Sequence, residues 1–118
     1  MKVRLNRIAH ARSGDKGDRA DIGLFAYDGE TYEVLKREVT AERVAAHFTG
    51  VAFGGVERYD LDNIWALKFV LNSALQGGGS RSLRLDNLGK TMGAALLRME
   101  IDAPATLPRL SQPRQGKA

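Results

Sequence analysis

The sequence contains no cysteine, which excludes disulfide bonds, thiolate metal ligands and a cysteine nucleophile. No stretch approaches the roughly 18 consecutive apolar residues that a membrane-spanning helix needs. The first five residues alternate polar and apolar side chains, unlike a signal peptide. We therefore expect a cytoplasmic protein that does not bind a membrane.

Proline and unbalanced positive charge are also absent from most of the chain. The prolines and three cations lie after Asp102 with no acid among them: Pro104, Pro108, Pro113, Arg109, Arg114 and Lys117. Residues 1–102 carry 15 basic and 14 acidic side chains and lack the basic stripe with interleaved aromatics that is typical of nucleic-acid binding, so we expect no such partner. The composition predicts one domain over residues 1–102 and a flexible, basic tail over residues 103–118, in which Leu107 and Leu110 are free to dock on a neighbour.

Hydrophobic spacing and turn signals predict alternating strands and helices. Strands are expected around Val3 to Ile8, over residues 22–27 and 56–61, and through Leu83 and Leu85. Thr40 is a suitable N-cap for a helix over residues 41–48, with Gly50 at its C-cap, whereas residues 31–38 fit a helix or an extended segment equally well. Two longer helices are predicted from their apolar faces, which comprise Ile64, Leu67, Leu71, Ala74 and Leu75 in one and Leu88, Met92, Ala95, Leu96 and Met99 in the other.

This order of elements predicts the fold class. It fits a two-layer α+β sandwich of the ferredoxin-like type, with a mainly antiparallel sheet and helices packed on one face. A parallel nucleotide-binding fold is excluded because the first two strands are joined by a connection too short for a crossover helix. The glycines Gly14 and Gly17 also precede a strand, whereas both nucleotide fingerprints lead into a helix.

The densest cluster of polar groups is the segment Arg12-Ser13-Gly14-Asp15-Lys16-Gly17-Asp18, predicted to be a loop between two strands. The two glycines allow backbone amides to approach an anion, and Arg12 and Lys16 supply positive charge. All seven residues are therefore candidate ligand-binding residues. Two other roles stay open: recognition of a protein partner, or a turn that Asp15 and Asp18 hold through hydrogen bonds to the backbone.

A second glycine-rich segment, residues 77–81, ends in Ser80 and Arg81. It fits a helix C-cap followed by a flexible link. If the fold brings it close to residues 12–18, Ser80 and Arg81 would complete a pocket for a phosphate or carboxylate.

The residues for catalysis are less well defined. His10, Asp15 and Asp18 are the candidates for proton transfer, and neither Ser13 nor Ser80 lies in a nucleophile elbow. The aspartates recur every third residue, unlike the alternate-residue ligands of an EF-hand, so we expect no metal and no cofactor. The sequence does not decide whether the protein is an enzyme.

Several segments taken together resemble a known domain: residues 12–18, Asp-Ile-Gly at 21–23, Thr-Ala-Glu-Arg-Val at 40–44, the run Gly-Gly-Gly-Ser-Arg-Ser-Leu-Arg-Leu-Asp at 77–86 and Gly-Lys-Thr at 89–91. They are similar to the AtuA-like ferredoxin-fold domain, which occurs at the C-terminal end of acyclic terpene utilisation proteins and as separate small proteins. The similarity covers about residues 2–102 and implies the ferredoxin-like fold. Asp21 departs from the asparagine expected at that position.

The resemblance implies a role in general terms. It suggests an accessory domain or small subunit in acyl-CoA or terpenoid catabolism, which assembles with itself as a homo-oligomer or with a larger AtuA-type partner. The alternative is a small enzyme or binding protein that holds an anionic metabolite, an acyl-CoA or a carboxylate, with residues 12–18. The resemblance supplies no catalytic residues.

Overall fold

The computed structural model describes residues 1–16, 19–49, 54–72 and 92–110, without the side chains of Asp15 and Lys16. This part of the chain contains the strands β1 (Lys2–Arg4), β2 (Ala9–Lys16), β3 (Arg19–Ala26), β4 (Val56–Leu61), β5 (Ala66–Leu71) and β6 (Glu100–Asp102). The helices are α1 (Gly29–Glu38) and α2 (Ala41–His47), and residues 92–96 are also helical. Short 3-10 helices occupy Leu5–Arg7 and Asp62–Ile64.

The main sheet is antiparallel throughout, in the order β2-β3-β5-β4. Strands β1 and β6 form a separate antiparallel pair in which Val3 lies opposite Ile101. The structure thus confirms the predicted α+β class and the antiparallel sheet. The strand predicted around Val3 to Ile8 is wrong beyond Arg4, because Leu5–Arg7 form a 3-10 helix. The pairing of β1 with β6 was not predicted, because its two strands lie about 100 positions apart and leave no local signal.

One face of the main sheet is covered by helices. Alternate residues of β3 and β5, among them Leu24 and Phe69, are fully buried there and pack with Leu35 of α1 and Val44 of α2. Gly93 in the helical stretch 92–96 lies against the same face of β2. No helix or strand of the described segments covers the other face of the sheet, hereafter the open face.

Side-chain caps define the starts of both complete helices. The backbone amide of Thr31 donates to Asp28 Oδ1 at 2.7 Å, and that of Arg43 donates to Thr40 Oγ1 at 3.1 Å. The helix predicted after Thr40 is confirmed, although Gly50 lies outside the described residues. Residues 31–38, for which the pattern was ambiguous, are helical because Asp28 supplies the cap that starts α1.

Arg58 of β4 joins the sheet to the C-terminus of α1. Its Nη1 donates to the carbonyl oxygens of Lys36 at 2.8 Å and Val39 at 3.1 Å, while Nε lies 2.9 Å from Asp60 Oδ1. The last carbonyls of a helix have no partners within the helix and lie at the negative end of its dipole. The guanidinium of Arg58, which Asp60 holds in place, therefore supplies both a hydrogen-bond donor and a positive charge at this end of α1.

The helix predicted from Ile64 onwards is wrong. Residues 66–71 form β5, a central strand with neighbours on both sides, while Ala74 and Leu75 lie outside the described residues. A central strand carries apolar residues on both faces. Leu67 and Leu71 of this strand are four positions apart, which is also the spacing of one face of a helix. Trp65, which precedes the strand, has left-handed backbone angles, φ 54° and ψ 46°.

The loop predicted at residues 12–18 is also corrected. Arg12 to Lys16 belong to β2, which pairs with β3 from Ala9 opposite Ala26 to Lys16 opposite Arg19. Within the described residues β2 pairs with β3 alone, and one of its faces has no helix or strand over it, a position that suits a polar strand. Gly17 and Asp18, which lie between the two strands, are outside the described residues.

The beginning of the predicted tail packs on the domain. The amide of Ala103 donates to the carbonyl of Met1 at 2.9 Å, and Leu107 is only 1% exposed, with Leu110 against the same core. Residues 103–110 therefore pack on the domain through Leu107 and Leu110, while the flexibility predicted for the tail as a whole stays a prediction. The strand predicted through Leu83 and Leu85, the position Leu88 and residues 111–118 lie outside the described residues. The described helices are all too short or too polar to cross a membrane.

Candidate functional site

The open face includes three rows of side chains that are neighbours across the strands. One row is mainly apolar, the middle row carries two cations, and the third carries two acids. In order across β2, β3, β5 and β4 the rows are His10, Phe25, Ala66 and Leu61; Arg12, Gly23, Lys68 and Tyr59; and Gly14, Asp21, Val70 and Glu57.

The middle row has a cation on each side of a glycine. Gly23 pairs with Arg12 on one neighbouring strand and with Lys68 on the other. Because adjacent strands are about 4.8 Å apart, the Cα atoms of the two cations are about 10 Å apart. Their long side chains are able to reach a single group placed over Gly23.

A side chain at position 23 would displace the ring of Phe25. A Cβ atom on Gly23 would lie 2.9 Å from Phe25 Cε1 and 3.2 Å from Cζ, closer than atoms in contact. The ring therefore leans over the glycine towards the middle row. It places an aromatic surface beside Arg12 and Lys68.

These residues enclose a shallow cavity of about 260 Å³ on the open face. Its lining is polar at one end and apolar at the other, and comprises Arg12, Ser13, Gly14, Asp21, Gly23, Phe25, Leu61, Ala66 and Lys68. Small-molecule sites generally combine apolar walls with a few polar groups. The cavity has this character on a small scale.

The charged groups of the cavity differ from Glu57 in their partners. Within the described residues, Arg12, Asp21 and Lys68 have no ion-pair or hydrogen-bond partner. Glu57 at the edge of the open face differs, because it accepts hydrogen bonds from Tyr59 Oη at 2.5 Å and Asn72 Nδ2 at 3.1 Å. These bonds, that from Tyr59 first, lower the pKa of Glu57 and keep it charged.

His10 belongs to an aromatic stack along the edge of the cavity. Its ring lies 5.1 Å from that of Phe25, nearly parallel at 11°, and 5.1 Å from that of Tyr27. The guanidinium of Arg109 lies 4.0 Å from the centre of the Tyr27 ring. No described residue forms a hydrogen bond with the His10 ring, so its role in proton transfer stays a prediction.

The structure places part of the predicted site at this cavity. Arg12 and Gly14 lie on the open face, with His10 beside them, whereas the hydroxyl of Ser13 points to the covered face near Gly93. The backbones of Asp15 and Lys16 continue β2, but their side chains are not described. Gly17, Asp18, Ser80 and Arg81 lie outside the described residues, so their predicted roles stay predictions.

Sequence reasoning missed the other half of the cavity. Ala66 and Lys68 lie on β5, in the segment that the sequence predicted to be a helix, and Leu61 lies on β4. A signal was present, since Phe69-Val70-Leu71 is a short run rich in strand-forming residues that follows the turn-forming pair Asp62-Asn63. Register with β3, which pairs Lys68 with Gly23, is not visible in the sequence.

The described side chains include no group of three or more His, Asp or Glu residues arranged to hold a metal ion. The predicted absence of a metal site and of a cofactor concerns the whole chain and stays a prediction.

Comparison with known proteins identifies the family. No curated protein and no solved structure matches the chain. The profile of the AtuA ferredoxin-like domain matches residues 3–102, nearly the whole of the described fold. This match confirms the resemblance that residues 12–18 and the other quoted segments indicate. The chain therefore belongs to the AtuA ferredoxin-like domain family.

Proposed function

We propose that this domain binds a small anionic ligand with an apolar portion on its open face. The observation that carries the proposal is the position of Arg12 and Lys68 on either side of Gly23, with no partner among the described residues. An unpaired guanidinium and an ammonium this close repel each other, and an anion between them relieves that repulsion.

The neighbouring groups narrow the class of ligand. Asp21 lines the same cavity, so its three charged side chains sum to about one positive charge, which favours a monoanion over a highly charged phosphate. Phe25, Leu61 and Ala66 form the adjacent apolar wall. A carboxylate on a hydrocarbon chain or ring fits this pattern best, and an acyl-CoA fits through its acyl part alone.

The proposed activity is binding. His10 is the nearest candidate for proton transfer, but it is stacked between Phe25 and Tyr27 without an orienting hydrogen bond among the described residues. The Arg12–Asp18 segment contributes to the proposed site through Arg12 and Gly14.

The test is isothermal titration with octanoate, benzoate, acetate, inorganic phosphate and octanoyl-CoA. Octanoate or benzoate is expected to bind more tightly than acetate and phosphate, because only they reach the apolar wall. Arg12→Ala and Lys68→Met should each weaken binding at least tenfold. Lys2→Ala removes an exposed cation from the other sheet and serves as the matched control. Equal affinity in all four proteins would refute the site.

A second candidate is the accessory role, in which the domain assembles with itself or with a larger AtuA-type partner. It is favoured by two large apolar side chains outside the cavity lining, since Ile64 and Trp65 are 52% and 44% exposed. The mass of the complex purified from its native cells tests this role, and a persistent monomer contradicts it. We place both roles in the cytoplasm, in keeping with a chain that lacks cysteine.

A further inference from the structure

The exposed pair Ile64 and Trp65 lies where the turn between β4 and β5 meets the start of α1. The indole of Trp65 is 3.4 to 3.7 Å from the position that a Cβ atom on Gly29 would occupy, so the glycine leaves room for the ring. Residues 62–65 and the first two turns of α1 are hereafter the Trp65 corner.

Two side-chain contacts with α1 hold the Trp65 corner in place. The buried Tyr32 of α1 donates from its hydroxyl to Asp62 Oδ1 at 2.6 Å, and Lys36 Nζ lies 3.6 Å from the same oxygen. These contacts join the turn to the helix. Ile64 and Trp65 are thus displayed on a fixed support, an arrangement that reduces the entropy cost of binding a partner.

Negative charge borders the apolar pair. Glu30 and Glu33 are exposed in the first two turns of α1, and Asp62 is exposed in the turn. Lys36 is the cation among them, and it is already engaged with Glu33 at 3.7 Å and with Asp62. The border therefore keeps a net negative charge around an apolar centre.

We propose that the Trp65 corner is the docking surface for a basic segment of a partner protein. Charge complementarity with the acidic border selects arginine or lysine, and a guanidinium over the exposed indole adds a cation–π contact. An apolar side chain of the same segment covers Ile64. A central tryptophan surrounded by polar groups is a common anchor of protein interfaces. The proposal deepens the accessory role and does not depend on the anion site.

The chain provides its own probe, because Trp65 is the only tryptophan and its emission reports on this corner alone. The ligand to be titrated is a short peptide in which arginines alternate with leucines, compared with a peptide that carries glutamates in place of the arginines. The arginine peptide is expected to shift the Trp65 emission, and the glutamate peptide is not. Higher salt should weaken binding, since the contact is partly electrostatic.

Substitutions test whether the peptide binds at the Trp65 corner rather than elsewhere on the protein. Ile64→Asn and the pair Glu30→Gln with Glu33→Gln should each weaken peptide binding at least tenfold, while Glu42→Gln on α2 should leave it unchanged. Peptide anisotropy and circular dichroism give a second readout and a check of folding. Octanoate binding should be unaffected by these changes, and Arg12→Ala should leave peptide binding unaffected.

Three peptide-binding results would each overturn the proposal: no binding of the arginine peptide, equal binding of the two peptides, or equal binding by all the variants. An emission shift with protein concentration alone, together with a dimer mass, would assign the Trp65 corner to a second copy of the chain and would overturn it as well.

Discussion

Substitution of Gly23 by alanine tests the candidate cavity without removing a charge. The new Cβ atom would lie 2.9 Å from Phe25 Cε1, whereas carbon atoms in contact are about 3.5 to 4.0 Å apart. The ring of Phe25 must therefore move by roughly 0.6 to 1 Å. It moves away from Gly23 and disturbs its stacking on His10.

The effect on stability is expected to be small because two contributions oppose each other. Disturbance of the aromatic pair costs about 0.5 to 1.5 kcal/mol. Alanine in place of glycine within a strand returns about 0.5 to 1 kcal/mol. The free energy of unfolding should change by less than about 1 kcal/mol, or about 4 °C in Tm.

The effect on binding should be larger. If the moved ring loses half of the roughly 1.5 to 3 kcal/mol that burial of an aromatic side chain contributes, the affinity for octanoate falls about 3- to 13-fold. Urea denaturation and isothermal titration measure the two quantities. Gly93→Ala is the matched control, since its Cβ atom would meet Ala11 and Ser13 on the covered face. Unchanged octanoate binding by Gly23→Ala would refute the placement of the ligand beside Phe25.

Three further predictions concern the scaffold. Arg58→Met removes the donors to the last carbonyls of α1 and should lower the free energy of unfolding, measured by urea denaturation, by about 2 to 3 kcal/mol. Arg58→Lys should have an intermediate effect. An unaltered midpoint of urea denaturation would contradict this role of Arg58. Leu107→Ala should cost about 2 to 4 kcal/mol, because the side chain is fully buried; a cost below about 0.5 kcal/mol would show that residues 103–110 do not belong to the core. The hydrogen bond from Tyr32 lowers the pKa of Asp62 in the folded protein. The bond therefore stabilises the fold fully above the ordinary pKa of an aspartate, about 4. This stabilisation is lost as the pH falls through the lower pKa that Asp62 has in the folded state. The stability difference between wild type and Tyr32→Phe should therefore shrink from neutral pH to below pH 4 in thermal denaturation, and a difference independent of pH would contradict it.

Some elements were predictable because their signals are local. The side chain of Thr40 accepts a hydrogen bond from the backbone amide three residues later and so caps α2. Strand β4 begins and ends where the turns on either side of it predict. The fold class followed from the order of such elements. Membership of the family followed from several short motifs, each of which is contiguous in the sequence.

Other elements were not predictable because their signals depend on neighbours. The spacing of Leu67 and Leu71 suits a helix as well as a buried strand, and only insertion between β3 and β4 makes it a strand. Likewise, residues 12–16 have the composition of a loop, and pairing with β3 makes them a strand. Leu107 is buried because the core leaves room for it, which no local pattern shows.

The sequence by itself determined the fold class, the family and the presence of a charged, glycine-containing segment with Arg12 at its start. Tertiary structure alone decided which charges act together. Lys68 lies 56 positions after Arg12 in the chain, yet sheet register places both beside Gly23, because each pairs with that residue through a different neighbouring strand. A candidate site built across four strands is a property of that register, which depends on long-range packing.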